Sequence, residues 1–121
     1  MRIAVIGSRN VQIENLALYL PEETSEIITG GAKGADTCAE HYAKEKKIPC
    51  TVFLPDYSRY GRAAPLRRNL EIIAHSDMVL AFLDGHSRGT AYVIRQCEKA
   101  NKPLRVYLSA GENRWEWQRS K

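Results

Sequence analysis

Three glycine-bearing breaks punctuate this chain: Gly7-Ser8-Arg9, Gly30-Gly31-Ala32-Lys33-Gly34-Ala35-Asp36 and Gly85-His86-Ser87-Arg88-Gly89-Thr90. Each follows a short apolar run and precedes a helical pattern. The apolar runs fall at about 2–6, 26–29, 50–54, 77–82 and 104–108, and they are nearly continuous in apolar residues rather than alternating. That pattern marks parallel strands covered on both faces. The order βαβα then predicts an α/β fold: a single three-layer domain with a mostly parallel five-stranded sheet and helices on both faces.

Helices are expected in the gaps. The first covers about 11–20, where Val11, Leu16, Leu18 and Leu20 supply an apolar side and Pro21 ends the last turn. The second covers about 36–47, with Asp36 as N-cap and Lys44, Lys46 and Lys47 at the negative end of the helix dipole. The third spans about 65–75, with Pro65 in its first turn and Leu66, Leu70 and Ile73 on one face. The fourth covers about 90–101 and stops at Asn101-Lys102-Pro103. Only the tail 109–121 falls outside the pattern, and its Trp115 and Trp117 are costly to leave in water. They are expected to pack on the domain or on a second subunit, which makes a homo-oligomer an expected partner.

A length of 121 residues suits one compact domain, taken as 1–121 with a core at 2–108. Cys38, Cys50 and Cys97 are odd in number, widely spaced and form no Cys-x-x-Cys pair, which argues against a disulfide framework and a zinc site. No other cluster has metal-ligand spacing, so no metal is expected. The apolar stretch at 3–6 is too short for a signal peptide, and no segment approaches the roughly 20 apolar residues that span a bilayer. A cytoplasmic protein with no membrane partner is the expectation.

In an open parallel sheet the three breaks fall at the carboxyl ends of the strands, where loop amides and helix N-termini face one crevice. That edge would carry Arg9, Lys33, Arg59, Arg62, Arg67, Arg68 and Arg88 against Asp36, Asp56 and Asp84, an excess of +4 that equals the net charge of the whole chain. A positive field placed there favours phosphorylated or polyanionic partners. The second break is the sharpest signal. Its glycines allow positive φ and close backbone approach, and successive amides would form an anion-binding nest beside Lys33. It is neither a Walker A motif nor a Gly-x-Gly-x-x-Gly fingerprint. Arg67, Arg68 and Asn69 open the third helix, where cations oppose the dipole unless an anion lies near or Glu71 pairs with them.

Taken in order, Gly7-Ser8-Arg9, the 30–36 break, Ala63-Ala64-Pro65-Leu66-Arg67-Arg68-Asn69 and Ser76-Asp77 through Asp84 to Thr90 resemble the SLOG superfamily of Rossmann-like proteins. That group includes the YspA- and YpsA-related families, the Lonely Guy phosphoribohydrolases and the DNA-processing protein DprA. The resemblance covers about 2–108 and is closest to the small stand-alone YspA-like members. It implies a Rossmann-like sheet that binds a nucleotide or nucleotide-derived phosphorylated ligand at the glycine loops. The site residues expected on this reading are Gly7, Ser8, Arg9, Gly30, Gly31, Lys33, Gly34, Asp36, Arg68, Asn69, Ser87, Arg88, Gly89 and Thr90. The resemblance to DprA implies single-stranded DNA binding as the competing reading, with Tyr57 and Tyr60 as the available stacking platforms. Lonely Guy enzymes carry a catalytic glutamate where this chain has Val93, so nucleotide N-glycosidic hydrolysis ranks third and a binding role first. Glu40 and His41 are placed on a helix surface rather than at the crevice, and His86 lies inside the last glycine loop.

Overall fold

The computed structural model describes residues 1–7, 11–31, 34–83, 88–109 and 115–118, with backbone alone for 88–91 and 118. Six strands form one sheet: β1 (Arg2–Gly7), β2 (Glu26–Thr29), β3 (Cys50–Val52), β4 (Met78–Leu83), β5 (Leu104–Ser109) and β6 (Trp115–Gln118). Their order is β3-β2-β1-β4-β5-β6. The first five are mutually parallel, and β6 runs antiparallel to β5. The helices are α1 (Ala35–Lys46), α2 (Tyr57–Tyr60), α3 (Ala64–His75) and α4 (Arg88–Lys99).

The expected mostly parallel sheet is therefore present, with six strands rather than five. The extra strand comes from the tail that the periodicity leaves unassigned. Trp115 has its ring 5.5 Å from that of Phe82 and perpendicular to it, while Phe82 stacks on Tyr107 at 5.0 Å. Burial of those rings draws the tail onto the sheet edge. Trp117 lies on the same face and stays 43% exposed, with the Arg105 guanidinium 4.6 Å over its ring.

Successive strand residues point to opposite faces, and both faces are covered. On one side Ile3, Val5, Ile27, Leu80 and Phe82 meet Ala35, Ala39 and Ala43 of α1. On the other side Ala4, Ile6, Ile28, Val79 and Ala81 meet Ile72 and Ile73 of α3 and Val93 and Cys97 of α4. Each fully buried Val, Leu or Ile contributes about 1.5–3 kcal/mol, which is why these runs carry almost no polar residues.

The helix expected at 11–20 does not form. Only Leu16–Leu18 makes one 3-10 turn. Val11, Ile13 and Leu16 are buried while Leu18 is 74% exposed, so the buried spacing is not that of a helix. Two β-branched residues two apart read better as extended chain. The Ile13 N–H donates to Cys38 Sγ at 3.3 Å, which ties the segment to α1. Two smaller corrections concern the second helix and the third strand. Gly34, at φ 88°, is the N-cap of α1, and Asp36 stands two residues on, in its first turn. The strand expected at 50–54 ends at Val52, and Leu54 is exposed.

Candidate functional site at the carboxyl edge of the sheet

Because β1 to β5 are parallel, their carboxyl ends share one edge. β1 and β4 are neighbours, with Gly7 opposite Phe82. From β1 the chain goes on to β2 on one side, and from β4 it goes on to β5 on the other. β1 and β4 therefore mark the topological switch point of the sheet, the place where open α/β sheets bind ligands. The connections themselves, 8–10 and 84–87, lie outside the described residues, and with them Ser8, Arg9, His86 and Ser87. Lys33 lies outside them as well. Arg88, Gly89 and Thr90 form the first turn of α4, directly after the β4 connection.

Gly7 ends β1 where there is room for nothing larger. A Cβ there would lie 2.5 Å from the Phe82 carbonyl oxygen and 2.8 Å from the Ala35 Cβ. The absence of a side chain lets the start of α1 close onto the junction of β1 and β4.

The second break is braced from both sides. The Gly30 N–H donates to Asp36 Oδ2 at 2.7 Å, and the Gly30 carbonyl accepts from Arg68 Nη1 at 2.6 Å. Arg68 Nε donates to Asn69 Oδ1 at 2.9 Å, which fixes the plane of the guanidinium. Asp36 is buried, and its carboxylate replaces the solvent that the Gly30 amide has lost. Gly31 at φ 71° and Gly34 at φ 88° supply the left-handed backbone that turns the chain from β2 into α1. Just before the break, Thr29 is fully buried and its Oγ1 has no hydrogen-bond partner among the described residues.

α2 and α3 follow β3 at the same edge. Asp56 caps α2, accepting from the Arg59 N–H and the Ser58 hydroxyl, and these bonds hold its carboxyl below the usual carboxylate range. The guanidinium carbons of Arg59 and Arg67 lie 5.2 and 5.3 Å from the centre of the Tyr60 ring. Among the described residues no carboxylate stands within ion-pair distance of Arg59, Arg62, Arg67 or Arg68, and Glu71 pairs with none of them.

The remaining candidates are placed away from this edge or given structural work. His41 lines a groove of about 230 Å³ between α1 and the 11–16 segment, together with Glu14, Thr37, Cys38, Tyr42 and Glu45. Nothing in the sequence pattern marks that groove, because it arises where an irregular segment packs against a helix. His75 Nδ1 sits 2.8 Å from the Glu71 carbonyl, and its ring rests 4.9 Å from that of Phe53. Val93 is buried against Cys97 in the core beneath α4. Burial, followed by the charges of Glu40, Glu26 and Asp36, pushes the Cys50 thiol up. Among the described residues no three metal-ligating side chains gather, and no helix is long and apolar enough to cross a membrane.

A protein of Mycobacterium phage D29, named Gene 61 protein, is 34% identical to this chain over 84 residues, covering 64% of the chain and 67% of the phage protein. A family model described as the YspA, cpYpsA-related SLOG family matches residues 1–60, the part that holds β1, β2, the braced glycine break and α2. With the strand order and the glycine geometry on the same residues, the chain belongs to the SLOG superfamily.

Proposed function

We propose that this protein binds a nucleotide or nucleotide-derived phosphorylated ligand in the crevice at the carboxyl edge of the sheet. The observation that carries the reading is the Gly30 peptide, held by Asp36 on its amide and by Arg68 on its carbonyl, beside the switch point between β1 and β4. A loop braced in this way loses little further freedom when it takes up an anion. Gly7, Ser8 and Arg9 form one side of the proposed site. Gly31, Lys33 and Gly34 cradle the phosphate, and Gly30, its amide taken by Asp36, holds the cradle in shape. Arg68 and Asn69 reach the phosphate or sugar, and Ser87, Arg88, Gly89 and Thr90 close the far side.

Micromolar affinity requires about 8 kcal/mol, and charge-assisted hydrogen bonds contribute about 1.5–3 kcal/mol each. Four or five such contacts are enough, and the proposed residues supply them. Membership of the SLOG superfamily is consistent with a nucleotide-related ligand. Hydrolysis of an N-glycosidic bond has less support, because Val93 is apolar and buried where a catalytic carboxylate would be needed. The test is calorimetric titration with a panel of nucleoside mono- and polyphosphates, on the wild type and on Lys33→Ala. Micromolar binding that weakens at least tenfold in the variant is expected. Binding unchanged by Lys33→Ala would remove the phosphate cradle from the proposal.

A further inference from the structure

Four arginines fall within ten residues, Arg59, Arg62, Arg67 and Arg68, and only Arg68 is tied to the glycine break. The other three are exposed. Arg59 and Arg67 converge on the Tyr60 ring from α2 and from the start of α3, at 5.2 and 5.3 Å. Two guanidiniums drawn to one ring repel each other, and the positive amino end of α3 adds to that field. Asp56, the carboxylate alongside them, is already engaged by the Ser58 hydroxyl and the Arg59 N–H. Arginines held in place by a ring keep their outward N–H groups for a planar or tetrahedral anion. Tyr57, 61% exposed on the same short helix, offers an open ring next to them.

Building on the proposed crevice, we infer that Arg59 and Arg67 on Tyr60, with the exposed Arg62 of the turn between them, form a second anion subsite that takes a further phosphate of the same ligand. Arg68 joins the two subsites, because its residue neighbour Arg67 stacks on Tyr60 while its own guanidinium holds Gly30. The ligand class is thus a nucleotide with more than one phosphate. The second phosphate lies either on the same polyphosphate chain or across a nucleoside, as in a short single strand.

The experiment measures affinity by calorimetry for AMP, ATP, and 5′-phosphorylated adenylate dimers and tetramers, at two salt concentrations. It compares the wild type with an Arg59→Ala, Arg62→Ala, Arg67→Ala variant. A Lys44→Ala, Lys46→Ala, Lys99→Ala variant loses the same charge elsewhere and serves as control. Thermal melts show that each variant is folded. The expected result is an affinity about tenfold higher for ATP or for the dimer than for AMP, lost in the arginine variant and kept in the lysine control. A gain on ATP identifies a polyphosphate chain. A gain on the dimer and tetramer, with a log-log salt slope falling by about 0.7 per phosphate, identifies a single strand. Equal affinity for AMP and the longer ligands, or an equal loss in the lysine control, overturns the second subsite and leaves the crevice standing. Absence of AMP, ATP and oligonucleotide binding alike in the wild type overturns both.

Discussion

Arg68 Nη1 donates to the carbonyl of Gly30 at 2.6 Å, so a helix that follows β3 holds the loop that follows β2. The two residues are 38 positions apart, and the bond lies at the heart of the candidate site. Arg68 thereby acts as a positioning residue for the glycine break as well as a cation beside it. Arg68→Ala is expected to cost about 1–2 kcal/mol in stability through the lost charge-assisted bond, and to weaken nucleotide binding at least tenfold. Arg68→Lys keeps the charge but not the fixed fork, and should recover affinity only in part. Denaturant unfolding and calorimetry on the two variants separate bracing from charge.

The glycines should respond unequally to alanine. At Gly7 a Cβ meets the Phe82 backbone oxygen and Ala35, neither of which can move aside. A loss of about 2–4 kcal/mol is expected there. At Gly30 the Cβ meets the guanidinium end of Arg68, which can swing away. Gly30→Ala should fold with a loss of about 1–2 kcal/mol, that of the Arg68 brace, and lose most of the ligand affinity. Urea denaturation of the two variants side by side checks the contrast.

Acid sensitivity should arise partly from Asp77. Its Oδ2 accepts the Arg2 N–H at 2.7 Å, its own N–H donates to the Arg2 carbonyl at 2.7 Å, and the Arg2 guanidinium is 3.7 Å away. The Arg2 N–H, and after it the nearby positive charges, hold its carboxyl below the ordinary value of 3.8. A lowered folded value means that the contribution is complete above about pH 4 and is lost as the pH falls through the folded value. Asp77→Asn should therefore flatten the pH dependence of unfolding below pH 4, measured by urea titrations between pH 2 and 6.

Cys97 should behave as an inert thiol in the native state. It is fully buried on the inner face of α4, and burial pushes its thiol up to about 11. Alkylation at pH 8 should proceed at Cys38 and Cys50, both partly exposed, and reach Cys97 only on unfolding. The stability tied to this group is complete below about pH 9 and declines as the pH rises toward 11. Mass spectrometry of peptides after iodoacetamide labelling, with and without denaturant, reads the order.

Deleting 110–121 should destabilise the domain, because β6 covers the outer edge of β5 and Trp115 closes the ring cluster of Tyr19, Phe82 and Tyr107. Trp115→Ala alone should cost about 2–4 kcal/mol. A cooperative melt at unchanged temperature in the truncated chain would contradict that role for the last strand.

Local pattern alone determined the layered α/β class, five parallel strands in nearly their final bounds, and three of the helices. Each depends on short-range signals: unbroken apolar runs for strands buried on both faces, helical spacing for α1 and α3, and the Asn101-Lys102-Pro103 stop for α4. The second glycine break was legible for the same reason, since Gly31 and Gly34 answer to local backbone conformation. Other features belong to the tertiary structure. β6 exists because Trp115 finds Phe82, a contact between residues 33 positions apart in the chain. Residues 11–20 gave up a helix because the apolar surface of the sheet and α1 buries Val11 and Ile13 as irregular chain. The hold of Arg68 on the Gly30 carbonyl, 38 positions away, likewise depends on which strand ends become neighbours. Local spacing carries no record of that choice, because it is made by burial summed over the whole sheet.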